Sequence, residues 1–230
     1  MKNIKQIVLV LAIALFLQNC SSIKVIDAWK AEQSVVDLFK EKNVLVIART
    51  SNNPARYAFE KEIANKLRER GIKATESYSK APKIYPNKEI SGERLELIRS
   101  LMKSEGFNAV VLTVIKDKEV TERVTTNGIY VGASYNNYYP GYYGGFYNYY
   151  STPYAYGSYY DSFGGFIPTG TSTSTSTKYV LETVVYNLDE PTENQLVAVV
   201  TTNLNDPKNA HKTAEKYVDL MVKNLEETKK

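Results

Sequence analysis

Three apolar runs of strand length stand out along the chain: Val44–Ala48, Ala109–Ile115 and, after a long polar interval, Tyr179–Tyr186. The first two are continuous rather than alternating, which predicts strands buried on both faces. Between them the period becomes helical. From Pro54 to Arg70, Phe59, Ile63 and Leu67 recur every four residues. Asn53 is placed to cap that helix, Pro54 to occupy its first turn and Gly71 to end it in the left-handed conformation. Ile72–Tyr78 then reads as a strand and residues 79–90 as a loop containing Pro and Lys. A second helix, Gly92–Glu105, buries Leu95, Ile98, Leu101 and Met102 and stops at Gly106. After Ile115 the third strand continues into the polar Lys116–Val124. The order β-α-β-α-β predicts parallel neighbours with right-handed crossovers.

Late in the chain, Tyr179–Tyr186 and Leu196–Thr202 flank the turn Asp189–Asn194 and predict an antiparallel hairpin. A last helix, capped by Asp206 with Pro207 at its first position, carries an apolar stripe from Ala210 through Tyr217 and Met221 to Leu225. The expected architecture is one α/β domain over residues 43–230. Its core is a five-stranded mixed sheet with a C-terminal helix, interrupted by an insert at 125–177.

That insert has an unusual composition. Thirteen of the 19 tyrosines fall between Tyr130 and Tyr160, and Asp161 is the only charged residue from 124 to 177. Thr171–Thr177 alternates Thr and Ser. Three readings stand side by side. One is a low-complexity loop. Another is an adhesive surface in which Tyr138, Tyr139, Tyr142, Tyr143, Tyr149 and Tyr150 stack on sugar rings or a partner's loops. The third is a hairpin that prolongs the flanking strands.

At the other end, Lys2 and Lys5 precede eleven unbroken apolar residues, Ile7–Leu17. A membrane-spanning helix needs roughly 20, so this run has the length of an export signal's apolar region. It closes in Leu17-Gln18-Asn19-Cys20-Ser21-Ser22, which resembles the lipobox of bacterial lipoproteins, with Gln18 and Asn19 in place of the commoner small residues. The resemblance implies a signal peptide over 1–19, a diacylglyceryl group on Cys20 and acylation of the new amine. It also implies anchoring in the cell envelope. Ser21 in place of Asp implies the outer membrane. Two or more chains give stable anchoring where one is marginal. Residues 20–42 then form the lipidated N-terminus and tether, with Trp29 packed on the domain.

Charge and chemistry narrow the functions. The net charge of +4 falls to +2 without the leader lysines, which does not point to nucleic acid. One cysteine and one histidine permit no disulfide framework and no Cys-based metal site. No Gly-rich nucleotide motif follows Val44–Ala48, and no nucleophile elbow accompanies His211, which reads as a solvated residue. No cofactor and no catalytic residue is assigned. Arg56 and Glu60, four apart on the first helix, read as a surface ion pair. In the sharper alternative, Arg56 contacts ligand at the carboxyl edge of the sheet. Asp117, Glu119 and Glu122 read as solvated.

Several stretches together resemble a family of uncharacterised small bacterial lipoproteins: Asp27-Ala28-Trp29-Lys30, Asn43–Ala48, Ala55–Glu60, Leu67–Ile72, Gly106–Val111 and Tyr179–Asn187. Their α/β domain is similar to the amino-terminal domain of TolB and to lipoproteins of curli secretion and peptidoglycan-synthase activation. The resemblance spans most of 27–228 outside the insert and is carried by fold motifs. The last hairpin of such proteins often has a Trp after its turn, where this chain has Leu196-Val197-Ala198-Val199. The resemblance implies a lipid-anchored envelope accessory or scaffold protein without catalytic activity. Its partners would be membrane lipid through Cys20 and an envelope protein or glycan. A glycan- or cell-wall-polymer-binding module is the second reading and an envelope hydrolase the third.

Overall fold

An apolar run with no polar side has to lie between two layers, and Val44–Ala48 does. In the computed structural model, which describes residues 23–81, 90–124, 128–132, 145–151, 164–168 and 173–227, these five side chains are all buried. They belong to strand β2 (Asn43–Arg49), at the parallel side of a mixed six-stranded sheet. The other strands of that sheet are β1 (Ile23–Lys30), β3 (Lys73–Glu76), β4 (Ala109–Val124), β7 (Thr173–Asn187) and β8 (Leu196–Asn205). Their order is β1-β8-β7-β4-β2-β3. β2 runs parallel to β3 and β4, and the remaining neighbours are antiparallel. A separate two-stranded sheet pairs β5 (Gly128–Gly132) with β6 (Gly164–Pro168).

Helices cover both faces. On one, α1 (Gln33–Phe39), α2 (Asn53–Glu69) and α5 (Ala210–Glu227) enclose a core built from Phe39, Val46, Phe59, Ile63, Tyr217 and Val218. On the other, α3 (Gly92–Ser104) and α4 (Phe146–Ser151) enclose Ile47, Ile98, Met102, Leu112, Tyr186 and Phe146. The alternation of β2 and β4 divides their side chains between the two cores.

The α/β class and the mixed sheet agree with the sequence pattern; the strand count does not. The expected five strands become six because the supposed tether supplies β1, antiparallel to β8. A bulge between Val25 and Asp27 explains why it was hidden. Ile23 and Val25 serve the α2/α5 core, and beyond the bulge Ala28 does so while Trp29 packs into the opposite core. A strict period of two is therefore absent.

Boundaries shift in three other places. The cap of α2 is Asn52, whose Oδ1 accepts the Ala55 amide at 3.0 Å, one residue before the expected Asn53. α5 starts at Ala210, not Pro207, with Asn209 Oδ1 accepting the Lys212 amide at 3.0 Å. Asp206 instead adopts a positive φ of 43° and exchanges two hydrogen bonds with Thr177, tying the end of β8 to β7. Ile72–Tyr78 shortens to β3 followed by a 3-10 turn at Ser77–Ser79. The Gly71 and Gly106 stops hold: both have positive φ. The amides of Ile72 and Phe107 reach back to Leu67 and Met102, closing the helix ends.

The supposed insert of 125–177 joins the main sheet at its C-terminal margin. Thr173–Thr177 belongs to β7 and pairs with Val124–Val120 of β4, as the prolonged-hairpin reading expected. Within it, α4 returns to the sheet. Phe146 and Tyr150 are buried in the second core, and Gln195 Oε1 accepts the Phe146 amide at 3.1 Å. At Gly145 a Cβ atom would meet Thr192 Cγ2 at 2.6 Å, so any larger residue there would have to displace the Thr192 side chain. The expected signal segment 1–19, Cys20, Tyr138, Tyr139, Tyr142 and Tyr143 lie outside the described residues.

Candidate functional site

β3 stops pairing with β2 at Val46, whereas β2 continues, buried, to Arg49. The Ala48 amide then needs another acceptor, and Glu60 of α2 provides it at 3.0 Å. The same carboxylate accepts from Arg56 Nε at 2.9 Å, Ser77 Oγ at 2.7 Å and the Tyr78 amide at 2.7 Å. Arg56 also donates to Ser77 Oγ and the Ala81 carbonyl. Arg56 and Glu60 are thus a buried pair, 5% and 0% exposed, and not the surface pair expected from their spacing. Two buried charges persist here because each finds several partners. Together they close the end of the parallel ladder.

Beside this network, at the carboxyl end of β2 and over the middle of β4, a cavity of about 460 Å³ opens between the first turns of α2 and α5. Such crevices are where open α/β sheets hold ligands. Ala48, Phe59, Leu181 and Leu204 form its apolar surface. Thr113 adds a hydroxyl, which joins Thr183 Oγ1 at 2.7 Å and through it Tyr217 Oη at 2.6 Å. Burial pushes the Tyr217 hydroxyl well above the usual tyrosine range, against the pull of its bond to Thr183. Lys118 and Lys208 are at the mouth. Arg56 does not line it.

The opposite face carries a second polar feature at the same height. Arg49, Val114, Glu182, Thr201 and Asp27 are register partners in one row across β2, β4, β7, β8 and β1. Arg49 Nη1 donates to the Tyr150 carbonyl at 3.0 Å, and Lys116 Nζ lies 3.4 Å from Glu182 Oε1 with both side chains buried. Tyr150, one of the proposed adhesive rings, is itself 1% exposed and 5.2 Å from Phe146, so its ring faces the core. Burial raises its hydroxyl above the ordinary range. Tyr149 lies on α4, with its side chain outside the described set. Tyr147 faces Arg99, whose guanidinium lies 4.7 Å from the ring centroid.

The other candidates are dispersed. His211 is exposed, with Nδ1 3.4 Å from Glu62 Oε1. Glu119 is exposed and Asp117 half-buried; Glu122 has no described side chain. Among the described residues, no group of three or more His, Cys, Asp or Glu side chains is arranged to hold a metal, and no helix is long and apolar enough to cross a membrane. Sequence reasoning missed Arg49, Lys116 and Glu182. Each interrupts or ends an otherwise apolar strand, and that break was the available signal.

The chain matches no protein-family model and no curated protein. Among the solved structures similar to it are two of the PelC dodecamer from Paraburkholderia phytofirmans. One has a TM-score of 0.41 at 11% identity, covering 88% of this chain and 96% of that one. The other, a point variant, has a TM-score of 0.37 at 11% identity, covering 86% and 94%.

Proposed function

We propose that this protein is a lipid-anchored accessory component of the bacterial cell envelope, held at the outer membrane by acylated Cys20, that binds a ligand or partner rather than transforming one. The observation that carries this reading is the leader. An eleven-residue apolar run ends in Leu17-Gln18-Asn19-Cys20, and the first strand of the domain begins at Ile23. Only Ser21 and Ser22 separate the thiol from a paired strand, so the anchor is coupled directly to the sheet.

The polar groups nearest the carboxyl edge support a binding role. Glu60 accepts hydrogen bonds from two backbone amides and two side chains, which commits it to structure. His211 is solvent-exposed beside Glu62. The cavity combines an apolar floor with a few polar groups, the usual make-up of a binding site.

Metabolic labelling with palmitate and fractionation of membranes tests the anchor. The native chain should take up label and sediment with the outer membrane, and Cys20→Ala should lose both. Full membrane retention of the unlabelled variant would overturn it in favour of an uncleaved apolar leader.

A further inference from the structure

In a regular strand, side chains alternate between faces, and β4 obeys this through Val111, Thr113 and Ile115, which face the α2/α5 side. Continued alternation would bring Asp117 to that side next and send Lys118 to the other. The register with β7 prevents this. Ile115 stands opposite Leu181 and Asp117 opposite Val180, so Lys116 is an extra residue in a β-bulge. After the bulge Lys118 stands opposite Tyr179, a residue packed against the α2/α5 core, and its Nζ lies 5.9 Å from that ring's centroid. Lys118 lines the cavity; Asp117 does not. One inserted residue has exchanged a carboxylate for an ammonium at the cavity mouth. Bulges beside sites commonly re-aim a side chain in this way.

The rest of the lining has the same sign. Its charged residues are Arg49, Lys118 and Lys208, with no carboxylate among them. The Arg49 guanidinium serves the Tyr150 carbonyl, which leaves two ammonium groups for the cavity. The nearby carboxylates are held elsewhere: Asp206 on the Thr177 amide, Glu62 beside His211, Glu60 on Arg56. The opening turns of α2 and α5 border the cavity through Pro54, Ala55, Ala210 and Thr213, and add the partial positive charge of two helix starts. Below, Phe59, Leu181 and Leu204 supply the apolar floor.

From this we propose that the carboxyl-edge cavity binds a phosphate ester, with the anionic group between Lys118 and Lys208 and an apolar or flat remainder on the floor beneath. Lysine suits phosphate as a mobile point charge. A phospholipid headgroup and a soluble phosphate ester share this chemistry. The headgroup source rests on the anchoring reading above: Ile23 pairs with Leu204, a lining residue, and three residues span at most ~11 Å, so an acylated Cys20 sets the cavity against the bilayer.

The test is lysine footprinting of the full chain in vesicles of digalactosyldiacylglycerol, a lipid without phosphate, with an amine-reactive reagent read by mass spectrometry. The added probes are sn-glycerol 3-phosphate, glycerol as the uncharged control, or phosphatidylglycerol within the vesicles. At ten times its dissociation constant a probe should slow labelling of Lys118 and Lys208 about tenfold, with Lys212 and Lys216 unchanged. Protection by glycerol 3-phosphate identifies a soluble ester as sufficient. Protection by phosphatidylglycerol alone identifies the headgroup. No protection by either, or equal protection of all four lysines, overturns the proposal. Lys118→Glu should abolish protection of Lys208, whereas Lys118→Arg should retain it. In Cys20→Ala the glycerol 3-phosphate arm is independent of anchoring. Protection kept after loss of membrane attachment sinks neither reading, while membrane attachment kept without protection sinks only this one.

Discussion

On one face of the sheet two helices of 17 and 18 residues, α2 and α5, cover the strands. On the other, the 13-residue α3 shares the task with α4, six residues drawn from the tyrosine-rich stretch. The first layer is held by long apolar stripes and by the Arg56–Glu60 network at its upper edge. The second depends on a segment far from any strand of its own, fixed by two buried aromatic rings, the Arg49–Tyr150 bond and a glycine contact. Local helix-forming pattern and tertiary need are thus separable here. α2 has both, whereas α4 is held by what it fills.

The largest test of that contrast lies on the α2 side. Glu60→Ala removes the acceptor for the Ala48 and Tyr78 amides and strands the buried Arg56 guanidinium, so unfolding in urea should show a loss of about 3–5 kcal/mol. A loss below about 1 kcal/mol, the range of an exposed pair, would mean the network is solvated after all. Next is the equivalence of the two layers. Phe146 and Phe59 are both buried, and truncation of either to Ala should cost about 3 kcal/mol or more. If Phe59→Ala is costly and Phe146→Ala is nearly silent, α4 is an accessory to the fold and the comparison fails. The smallest effect concerns pH. Tyr150 on one face and Tyr217 on the other have hydroxyls raised by burial. Unfolded tyrosines release protons near pH 10 while these do not, so the unfolded chain binds fewer protons and stability falls as pH rises above that value. Tyr150→Phe and Tyr217→Phe should each flatten part of that alkaline decline. A decline that only Tyr217→Phe reduces would place the Tyr150 ring in solvent.

What was legible in the sequence follows the same division. α2 could be read because Phe59, Ile63 and Leu67 repeat with the helix and Gly71 marks its end. β2 and the apolar part of β4 could be read because a strand buried on both sides has no polar positions to obscure it. β1 could not, since its bulge breaks the alternation and Asp27 and Lys30 resemble linker chemistry. α4 could not either: Phe146-Tyr147-Asn148-Tyr149-Tyr150-Ser151 has no period long enough to recognise, and its burial depends on Tyr186 and Ile98, remote in sequence. At the candidate site, the spacing of Arg56 and Glu60 was legible but their burial was not. It arises because β3 ends early and exposes a backbone donor. The cavity lysine Lys118 was invisible for a related reason, since a one-residue register shift decides which side chain faces inward.

The strand that replaced the supposed tether also has a mechanical meaning. A pull applied at Ile23 along the strand axis would load the β1–β8 pairs from Ile23–Leu204 to Lys30–Ala198 together, in shear. A pull at Glu227 would fray a helix end one turn at a time. Single-molecule extension from the two ends should therefore give a sharp high-force rupture in the first case and gradual low-force yielding in the second. Attached through its first strand, the domain would resist drag at a surface with its whole edge pairing.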